Sequence, residues 1–231
     1  MTTPEVTQVG RRLRNMRDKQ SRIFAAAAAL FAERGFDSVT TQEISERADV
    51  AAGTLFRYAA SKGELLLMVY NEDFRAALEL GDQASRAEDD PVQAVLAMVR
   101  PILEAADRRV ENTVAYQREL LFGAPTEQYR AEGLALVARL EAMIAERLTA
   151  AAAGRAVDTK HLFARALLAG RSVFAVLHLI LARPSTGAHP GRDATGDLRD
   201  QIAQIVAGFL ASIGEVDVEG RTSPPAGRST S

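Results

Sequence analysis

Residues 40–62, TTQEISERADVAAGTLFRYAASK, bring together polar and aromatic side chains whose types and spacing suit binding rather than catalysis. Thr54, Phe56, Arg57 and Tyr58 fall within five consecutive positions, and Lys62 follows about one helical turn later. A helix buried in a core would need more apolar residues, and a plain surface helix would not need two aromatic rings. The pattern therefore indicates a short helix with one buried side and one side that contacts another molecule.

The residues around this cluster predict two short helices joined by a tight turn. Thr40 and Glu43 have the spacing of a capping box, which starts a helix. Asp49 lies in the turn, where one residue is expected to be left-handed and aspartate is tolerated. Leu55 anchors the second helix inward. Residues 40–58 therefore predict a helix-turn-helix, whose second helix is roughly 10 Å long and suits a DNA major groove about 12 Å wide.

Charge is distributed unevenly along the chain, although its net value is only −2. Residues 1–62 hold ten Lys or Arg and seven Asp or Glu, and the remainder carries a net charge of −5. Within residues 10–22, six bases accompany a single acid, Asp18. A basic start on an acidic body indicates an end that faces a polyanion. A solvated basic tail would give the same composition, so charge alone leaves both interpretations open.

Composition and periodicity predict an all-α fold of about nine helices. The 231 residues are 47% apolar and 25% charged, which is ordinary for a globular core, and alanine, the best helix former, is abundant. The chain divides into a basic arm (1–16, with 1–10 disordered), a three-helix helix-turn-helix domain (17–64), a larger helical domain (65–215) and a disordered tail (216–231). Helices are predicted at about 17–34, 40–48, 51–58, 61–84, 91–122 with a break near 107–109, 126–153, 158–182 and 197–213, with a polar loop at 184–196.

Several classes of protein and site are not expected. The chain has no cysteine, so disulfides and thiolate ligands are excluded. Its longest apolar run, Ser172 to Ala182, is too short to span a bilayer, and the N-terminus lacks the apolar region of a signal peptide. No phosphate-binding glycine loop or paired Glu-x-x-His motif is present, and Asp158 and His161 are interpreted as a helix cap and a surface histidine. We therefore expect a cytoplasmic protein that is not an enzyme and uses no metal or cofactor.

Apolar stripes on the later helices supply candidates for a pocket and for a subunit interface. Ordinary core is the alternative role for each of these residues, and His178 is either a core residue or a polar anchor in a pocket. The pocket candidates are Phe74, Met98, Ile102, Tyr116, Leu120, Phe174 and His178. The interface candidates, on a predicted bundle of two helices from each subunit, are Leu167, Leu177, Leu181, Ile202, Ile205, Val206 and Phe209. Few charges interrupt these faces, so a largely apolar ligand is expected.

An ordered series of residues between positions 20 and 66 resembles the DNA-binding region of tetracycline-repressor (TetR) family regulators. The series is Arg22-Ile23, Ala27, Leu30-Phe31, Gly35-Phe36, Thr40-Thr41, Ile44, Ala48-x-Val50-x-x-Gly53-Thr54-Leu55-Phe56-x-Tyr58 and Ser61-Lys62-x-x-Leu65. The resemblance implies a homodimeric transcriptional regulator that binds a palindromic operator in double-stranded DNA. It further implies that a small-molecule effector bound by the larger domain changes the spacing of the two recognition helices.

The resemblance also implies which residues contact DNA. Gln42 corresponds to a base-reading position, where a glutamine amide suits adenine, and Gly53 permits a close backbone approach. The other expected contacts are Thr41, Ala52, Thr54, Phe56, Arg57, Tyr58 and Lys62, mostly to phosphates. In some members of the family a basic arm like the stretch from Arg11 to Arg17 enters the adjacent minor groove, where arginine is favoured, and the sequence leaves open whether this arm does so.

Three departures from the family pattern keep alternatives open. Phe56 replaces the usual tyrosine, Asp49 the frequent glycine, and Ala59 the frequent phenylalanine. We expect a repressor released from DNA by its effector. The alternatives are an activator or structural DNA binder without an effector, an enzyme built on a helical bundle, and a helical adaptor that has lost DNA binding.

Overall fold

The computed structural model describes residues 4–153 and 161–214, with side chains described for 14–153 and 161–213, and within these ranges it contains helices and no strand. The predicted all-α class is therefore confirmed. The helices are α1 (Pro4–Arg34), α2 (Thr41–Arg47), α3 (Ala52–Leu55), α4 (Lys62–Ser85), α5 (Pro91–Asp107), α6 (Val110–Phe122), α7 (Gln128–Ala151), α8 (Leu162–Thr186) and α9 (Ala194–Gly214).

The helix-turn-helix forms for the local reasons that the sequence indicates. Thr40 accepts a hydrogen bond from the amide of Glu43 (3.2 Å), and the Glu43 carboxylate accepts one from the amide of Thr40 (2.8 Å), which completes the capping box. Gly35 ends α1 with φ of +80°, and Asp49 occupies the turn after α2 with φ of +52°. Both conformations are left-handed, so the left-handed residue predicted for the turn is confirmed at Asp49.

Helix α1 begins much earlier than the sequence predicted. We expected disorder over 1–10 and a helix from about Arg17, but α1 starts at Pro4 and runs through the basic arm without interruption. Proline is tolerated at the first helical position, and Arg, Leu, Met and Gln in residues 8–17 are good helix formers. The basic arm is therefore an extension of α1 and not a separate segment.

A buried apolar cluster joins the first helices to the larger domain. Ile23, Phe31, Ile44, Leu55 and Leu65 are fully buried together, and side chains of α6 and α7 complete the same cluster. Helix α4 belongs to both parts, because its first half packs under the helix-turn-helix and its second half packs on α5. The predicted division near residue 64 therefore falls inside a continuous core.

The larger domain packs α4 and α5, α7 and α8, and α8 and α9 against one another. The predicted break after Asp107 is present. The predicted loop at 184–196 is shorter, because α8 includes Pro184 and ends at the left-handed Gly187 (φ +62°), and α9 starts at Ala194. Hydrogen bonds from Arg183 to the carbonyls of Ala188 and His189 hold this turn. The proposed cap at Asp158 and the tail from residue 216 lie outside the described residues.

Helix α8 is more apolar than the sequence analysis recognised. It is 25 residues long, and an 18-residue window has a mean hydropathy of 1.6, which by length and composition would suffice to cross a membrane. Only 28% of that window is buried, although one side of α8 packs on α7 and α9. The apolar run is thus longer than the predicted Ser172–Ala182, and its outer side is uncovered in the single subunit.

Candidate nucleic-acid interface and cavity

A basic groove runs between α1 and the α3 segment. It is lined by Asn15, Met16, Lys19, Thr54, Arg57 and Tyr58, and we call these six residues the α1/α3 groove. Within the described part of the chain, neither Lys19 nor Arg57 forms an ion pair. Two cations without counter-charges beside a threonine and an asparagine form a surface suited to phosphate oxygens.

The outer side of α3 is open and partly apolar. Leu55 is 0% exposed and fastens the helix to the core, whereas Phe56 is 48% exposed. A Cβ atom added at Gly53 would meet no atom within 4 Å, so nothing inside the subunit requires glycine there. An outward glycine next to an outward aromatic ring allows another molecule to approach the backbone closely.

The other predicted DNA contacts on α2 and α3 differ in exposure. Gln42 is exposed, and its Nε2 donates to the carboxylate of Glu46 (2.7 Å), a bond that contact with a base would replace. Thr41 and Ala52 are half-buried at the first positions of α2 and α3. The structure therefore brings Gln42, Gly53, Phe56 and Arg57 to the surface of the same small domain.

Tyr58 and Lys62 differ from the expected free phosphate contacts, because their polar groups are already bonded within the subunit. The Tyr58 hydroxyl donates to the carbonyl of Met16 (3.2 Å). The Lys62 ammonium donates to the carbonyls of Phe36 (2.9 Å) and Val39 (3.0 Å) and lies 4.3 Å from the centre of the Phe36 ring. Both side chains brace the helix-turn-helix, since they tie α1 and its following loop to α3 and α4.

Ion pairs neutralise several acids of this domain. Asp49 pairs with Arg22 (3.1 Å), which offsets the acid that departs from the family pattern. Glu43 pairs with Arg34 (2.6 Å), and the hydrogen bonds from Arg34 and then Thr40 lower the pKa of Glu43 to about 2. Because Glu43 and Asp49 are already paired, neither acid cancels the positive charge of Lys19 and Arg57.

Sequence reasoning missed Asn15, Met16 and Lys19 in the groove. Asn15 and Lys19 lie one turn apart on α1, four positions from each other, and so share a helix face. That spacing was visible in the sequence. It was not used because α1 was expected to begin at about Arg17, which left Asn15 in the arm.

A cavity of about 80 Å³ lies among α4, α5, α6 and α8 of the larger domain. Six of the seven predicted pocket residues line it, namely Phe74, Ile102, Tyr116, Leu120, Phe174 and His178. Met98 does not line the cavity, because it is fully buried in the core of the larger domain, one turn before Ile102. Tyr70, Asp73, Thr113 and Gln117 also line the cavity and were not predicted.

A buried asparagine connects this cavity to the end of α1. Asn112 is 0% exposed, and its Nδ2 donates to the hydroxyl of the cavity residue Tyr70 (2.7 Å) and to the carbonyl of Phe31 (2.9 Å). Its Oδ1 accepts a hydrogen bond from the amide of Phe36 (2.7 Å). A single side chain of α6 therefore touches both the cavity wall and the turn that begins the helix-turn-helix.

Most of the predicted interface residues face inward. Leu177, Ile202, Val206 and Phe209 are at most 5% exposed in the described chain, so their side chains pack within the subunit and offer little surface to a partner. The stripe of α9 is buried because α9 packs on α5 as well as on α8. Leu167, Leu181 and Ile205 are partly buried beside the same core. The large apolar residues that remain exposed on α8 are Phe163 (47%), Leu168 (60%) and Leu179 (68%).

Comparison with known proteins gives a consistent result. Residues 23–69 match the family model described as bacterial regulatory proteins, tetR family. The chain is 34% identical over 106 residues to the transcriptional repressor KstR of Mycolicibacterium smegmatis, covering 46% of this chain and 52% of KstR. It therefore spans about half the length of the curated relatives that it matches.

Two solved structures extend the likeness to the larger domain. The fold is similar to FadR of Thermus thermophilus, a TetR family transcriptional repressor in complex with lauroyl-CoA, with a TM-score of 0.66 and 26% identity over 90% of this chain and 99% of FadR. A TetR regulator from Rhodococcus sp. RHA1 has a TM-score of 0.59 at 21% identity over 84% and 98% of the two chains, and shows the shared fold. The motif series, the helix-turn-helix geometry and these matches together establish that residues 23–69 form a DNA-binding domain of the tetR family of bacterial regulatory proteins, and that the larger domain shares the fold of TetR regulators.

Proposed function

We propose that this chain is a transcriptional repressor that binds double-stranded DNA and releases it when a small, largely apolar effector occupies the cavity. The observation that carries the proposal is the outer side of α3, where Gly53 is open, Phe56 is exposed and Arg57 has no ion-pair partner among the described residues. Nothing inside the subunit uses these three features. A regulator of this kind acts in the bacterial cytoplasm and is not an enzyme.

The DNA contacts divide into two kinds. Lys19 and Arg57 of the α1/α3 groove supply phosphate contacts, which set affinity and its salt dependence. Gln42 and Phe56 face outward from α2 and α3 and supply base contacts, through an amide for adenine and an apolar ring for the thymine methyl group. Gly53 lets the backbone of α3 approach the groove floor. The repressor names of the curated relatives support this role.

Two copies of the chain are proposed to bind one operator. The outer side of α8 exposes Leu168 and Leu179, and only 28% of the apolar window of this helix is buried in one subunit. A second copy related by a two-fold axis would cover the same face on both subunits. Two recognition helices related in this way fit half-sites about 34–36 Å apart, which makes the operator a palindrome.

Effector binding is proposed to act through α6. The cavity of about 80 Å³ is smaller than the roughly 300–1,000 Å³ of occupied ligand sites, so a ligand must move its walls to enter. Tyr116 and Gln117 line the cavity from α6, and Asn112 of the same helix bonds to Phe31 and Phe36. A shift of α6 therefore displaces the end of α1, and with it α2 and α3. A coupling of about 1–3 kcal/mol would lower DNA affinity roughly 5- to 150-fold.

The bound ligand of the FadR relative, lauroyl-CoA, supports an apolar ligand in this domain. In this chain the cavity is lined by Phe74, Ile102, Leu120 and Phe174, with no lysine or arginine in its wall. A long acyl chain could enter this cavity only if the charged nucleotide of its CoA group stayed outside. The alternative of a DNA binder without an effector remains the second candidate, because the cavity is small.

Footprinting tests the proposal. Purified protein is incubated with the DNA upstream of its own gene, with and without candidate effectors. A protected site with two-fold symmetry, which disappears on addition of an effector, is the expected result. Protection that no ligand changes would favour the DNA binder without an effector, and absence of any protection across regulatory DNA would favour the adaptor.

A further inference from the structure

Two polar side chains in the cavity wall are locked together. The Gln117 Nε2 donates to the backbone carbonyl of His178 (3.0 Å) and lies 3.0 Å from Nδ1 of the same residue. A carbonyl oxygen can only accept, so the atom of Gln117 that faces it must be the NH₂ group. The amide of Gln117 therefore has one orientation, and both of its hydrogens are directed at His178.

This contact also fixes the tautomer of the histidine. Because Nδ1 accepts a hydrogen from Gln117, the ring hydrogen of neutral His178 lies on Nε2. Burial lowers the pKa of His178, since the charged imidazolium is poorly solvated there, and the ring is neutral near pH 7. The ring thus carries one N–H donor, on Nε2.

One donor and one acceptor of this pair stay available to a ligand. Within the described part of the chain, Nε2 of His178 and Oε1 of Gln117 have no hydrogen-bond partner. Neither atom is fully buried, so a bound molecule could reach both. Both residues line the cavity. An apolar space that presents one N–H and one carbonyl oxygen selects a ligand with a matching oxygen function.

The charge of the wall limits the charge of the ligand. Asp73 is the only charged side chain among the lining residues, and no lysine or arginine faces the space. A bound carboxylate would lose its hydration without gaining a cation, which costs more than the hydrogen bond from His178 returns. Asp73 is an exposed residue whose carboxyl is partly desolvated, which raises its pKa, and Arg108 already lies near it, so it does not offer a free counter-ion for an ammonium group.

The rest of the cavity wall suits a ligand with a compact, flat ring system. Rings of Tyr70, Phe74, Tyr116 and Phe174 surround the space, and the Phe174 ring centre lies 6.0 Å from that of His178. Aromatic walls favour ring systems, which stack or meet edge to face. The polar pair lies at one side of this aromatic enclosure, so the ligand's oxygen must project from one edge of its ring body.

We propose that the effector is an uncharged compound with a compact ring body and one oxygen function, such as a phenol, an alcohol or a ketone. Its oxygen accepts a hydrogen bond from Nε2 of His178, and an O–H, where present, donates to Oε1 of Gln117. This inference rests on the proposed function for its biological meaning. It goes beyond that function because it names the chemical class that the cavity selects.

The test is a titration of the full chain, without DNA, against four probes of one ring size at pH 7. The probes are naphthalene, 2-naphthol, 2-naphthoate and 2-naphthylmethylammonium. We expect 2-naphthol to bind tightest, by roughly 5- to 10-fold over naphthalene, which corresponds to one net hydrogen bond in a cavity. The anion and the cation are expected to bind more weakly than naphthalene.

Two variants separate the polar pair from the shape of the cavity. His178→Phe keeps an aromatic ring and Gln117→Leu keeps the volume, and each should bring 2-naphthol to within about twofold of naphthalene. Gln83→Leu, an exposed glutamine at the end of α4, is the matched control and should leave the ranking unchanged. If one variant fails to fold in a thermal melt, the other carries the comparison.

Three results would overturn the inference: tightest binding of the anion or the cation, equal binding of naphthalene and 2-naphthol, or no binding of any probe by the wild-type chain. Because no DNA is present, the ranking does not depend on operator binding. If the chain ranks the probes as expected but binds no DNA, the proposed function is wrong and this inference about the cavity stands. If the chain binds DNA but prefers the carboxylate, the inference is wrong and the proposed function stands.

Discussion

Substituting Gly53 by alanine should change folding stability and DNA affinity in opposite directions. An added Cβ meets no atom within 4 Å, and the residue lies inside α3 without a positive φ, so the fold accepts the methyl group without strain. Replacing a glycine in such a position stabilises a protein by roughly 0.4–1 kcal/mol, mainly because the unfolded chain loses freedom. For a chain of this size the melting temperature should rise by about 1–4 °C.

The same methyl group should weaken operator binding if the backbone of α3 approaches the DNA as proposed. An extra methyl group forced into a packed contact costs about 1–3 kcal/mol, which is roughly a 5- to 150-fold loss of affinity. Calorimetry gives the melting temperature, and fluorescence anisotropy on the footprinted site gives the affinity. A Gly53→Ala variant that is more stable and binds the operator as tightly as the wild type would refute the close approach.

The remaining predictions concern the coupling, the subunit interface and acid stability. Asn112→Ala should lower the free energy of unfolding by about 1–3 kcal/mol, because the buried amide of Phe36 and the carbonyl of Phe31 lose their hydrogen-bond partner. The same substitution should reduce the effector-induced change in DNA affinity, and an undiminished change would exclude Asn112 from the coupling. Leu179→Glu should give monomers in sedimentation, whereas Leu80→Glu, at a leucine similarly exposed on α4, should not, and a dimer that survives Leu179→Glu places the interface elsewhere. Glu43→Gln should melt below the wild type at neutral pH. Because the Glu43 pKa is lowered from 4.5 to about 2, that difference should narrow as the pH falls from 4.5 towards 2. A difference in melting temperature that stays constant over this pH range would contradict this.

The helix-turn-helix was predictable because its signals are local. The capping box at Thr40, the glycine after α1 and the left-handed turn at Asp49 each depend on a few neighbouring residues, and the structure has all three. The start of α1 was missed because an unbroken basic helix and a disordered basic tail have the same composition. Only the backbone of residues 4–16 distinguishes them.

The cavity was largely predictable, whereas the burial of the apolar stripes on α8 and α9 was not. Six of the seven pocket candidates share the face of α4, α5, α6 or α8 that lines the cavity, whereas Met98 lies one turn from Ile102 but points into the core. The stripes of α8 and α9 have the same period whether they pack on their own subunit or on another. Periodicity therefore could not show that Ile202 and Phe209 are buried in the core of their own subunit, where α9 packs on α5 and α8.

Long-range polar contacts were beyond sequence reasoning. Lys62 bonds to carbonyls 23 and 26 positions away, and Asn112 bonds to atoms of α1 about 80 positions away. No pattern of spacing encodes such pairs, because they depend on how the folded helices meet. They decide, nevertheless, which residues of the predicted DNA surface are free and which ones support it.

The most direct test of the central claim, that the α1/α3 groove binds DNA phosphates, is the salt dependence of operator affinity. Removing one cation that neutralises a phosphate should reduce the slope of log affinity against log salt concentration by about 0.9. Because the proposed dimer carries each residue twice, we predict that Arg57→Ala and Lys19→Ala each lower the slope by about 1.8. Arg139→Ala, at an exposed arginine of α7 without an ion pair in the described residues, should leave the slope unchanged. A slope that Arg57→Ala and Lys19→Ala leave at the wild-type value would contradict the account.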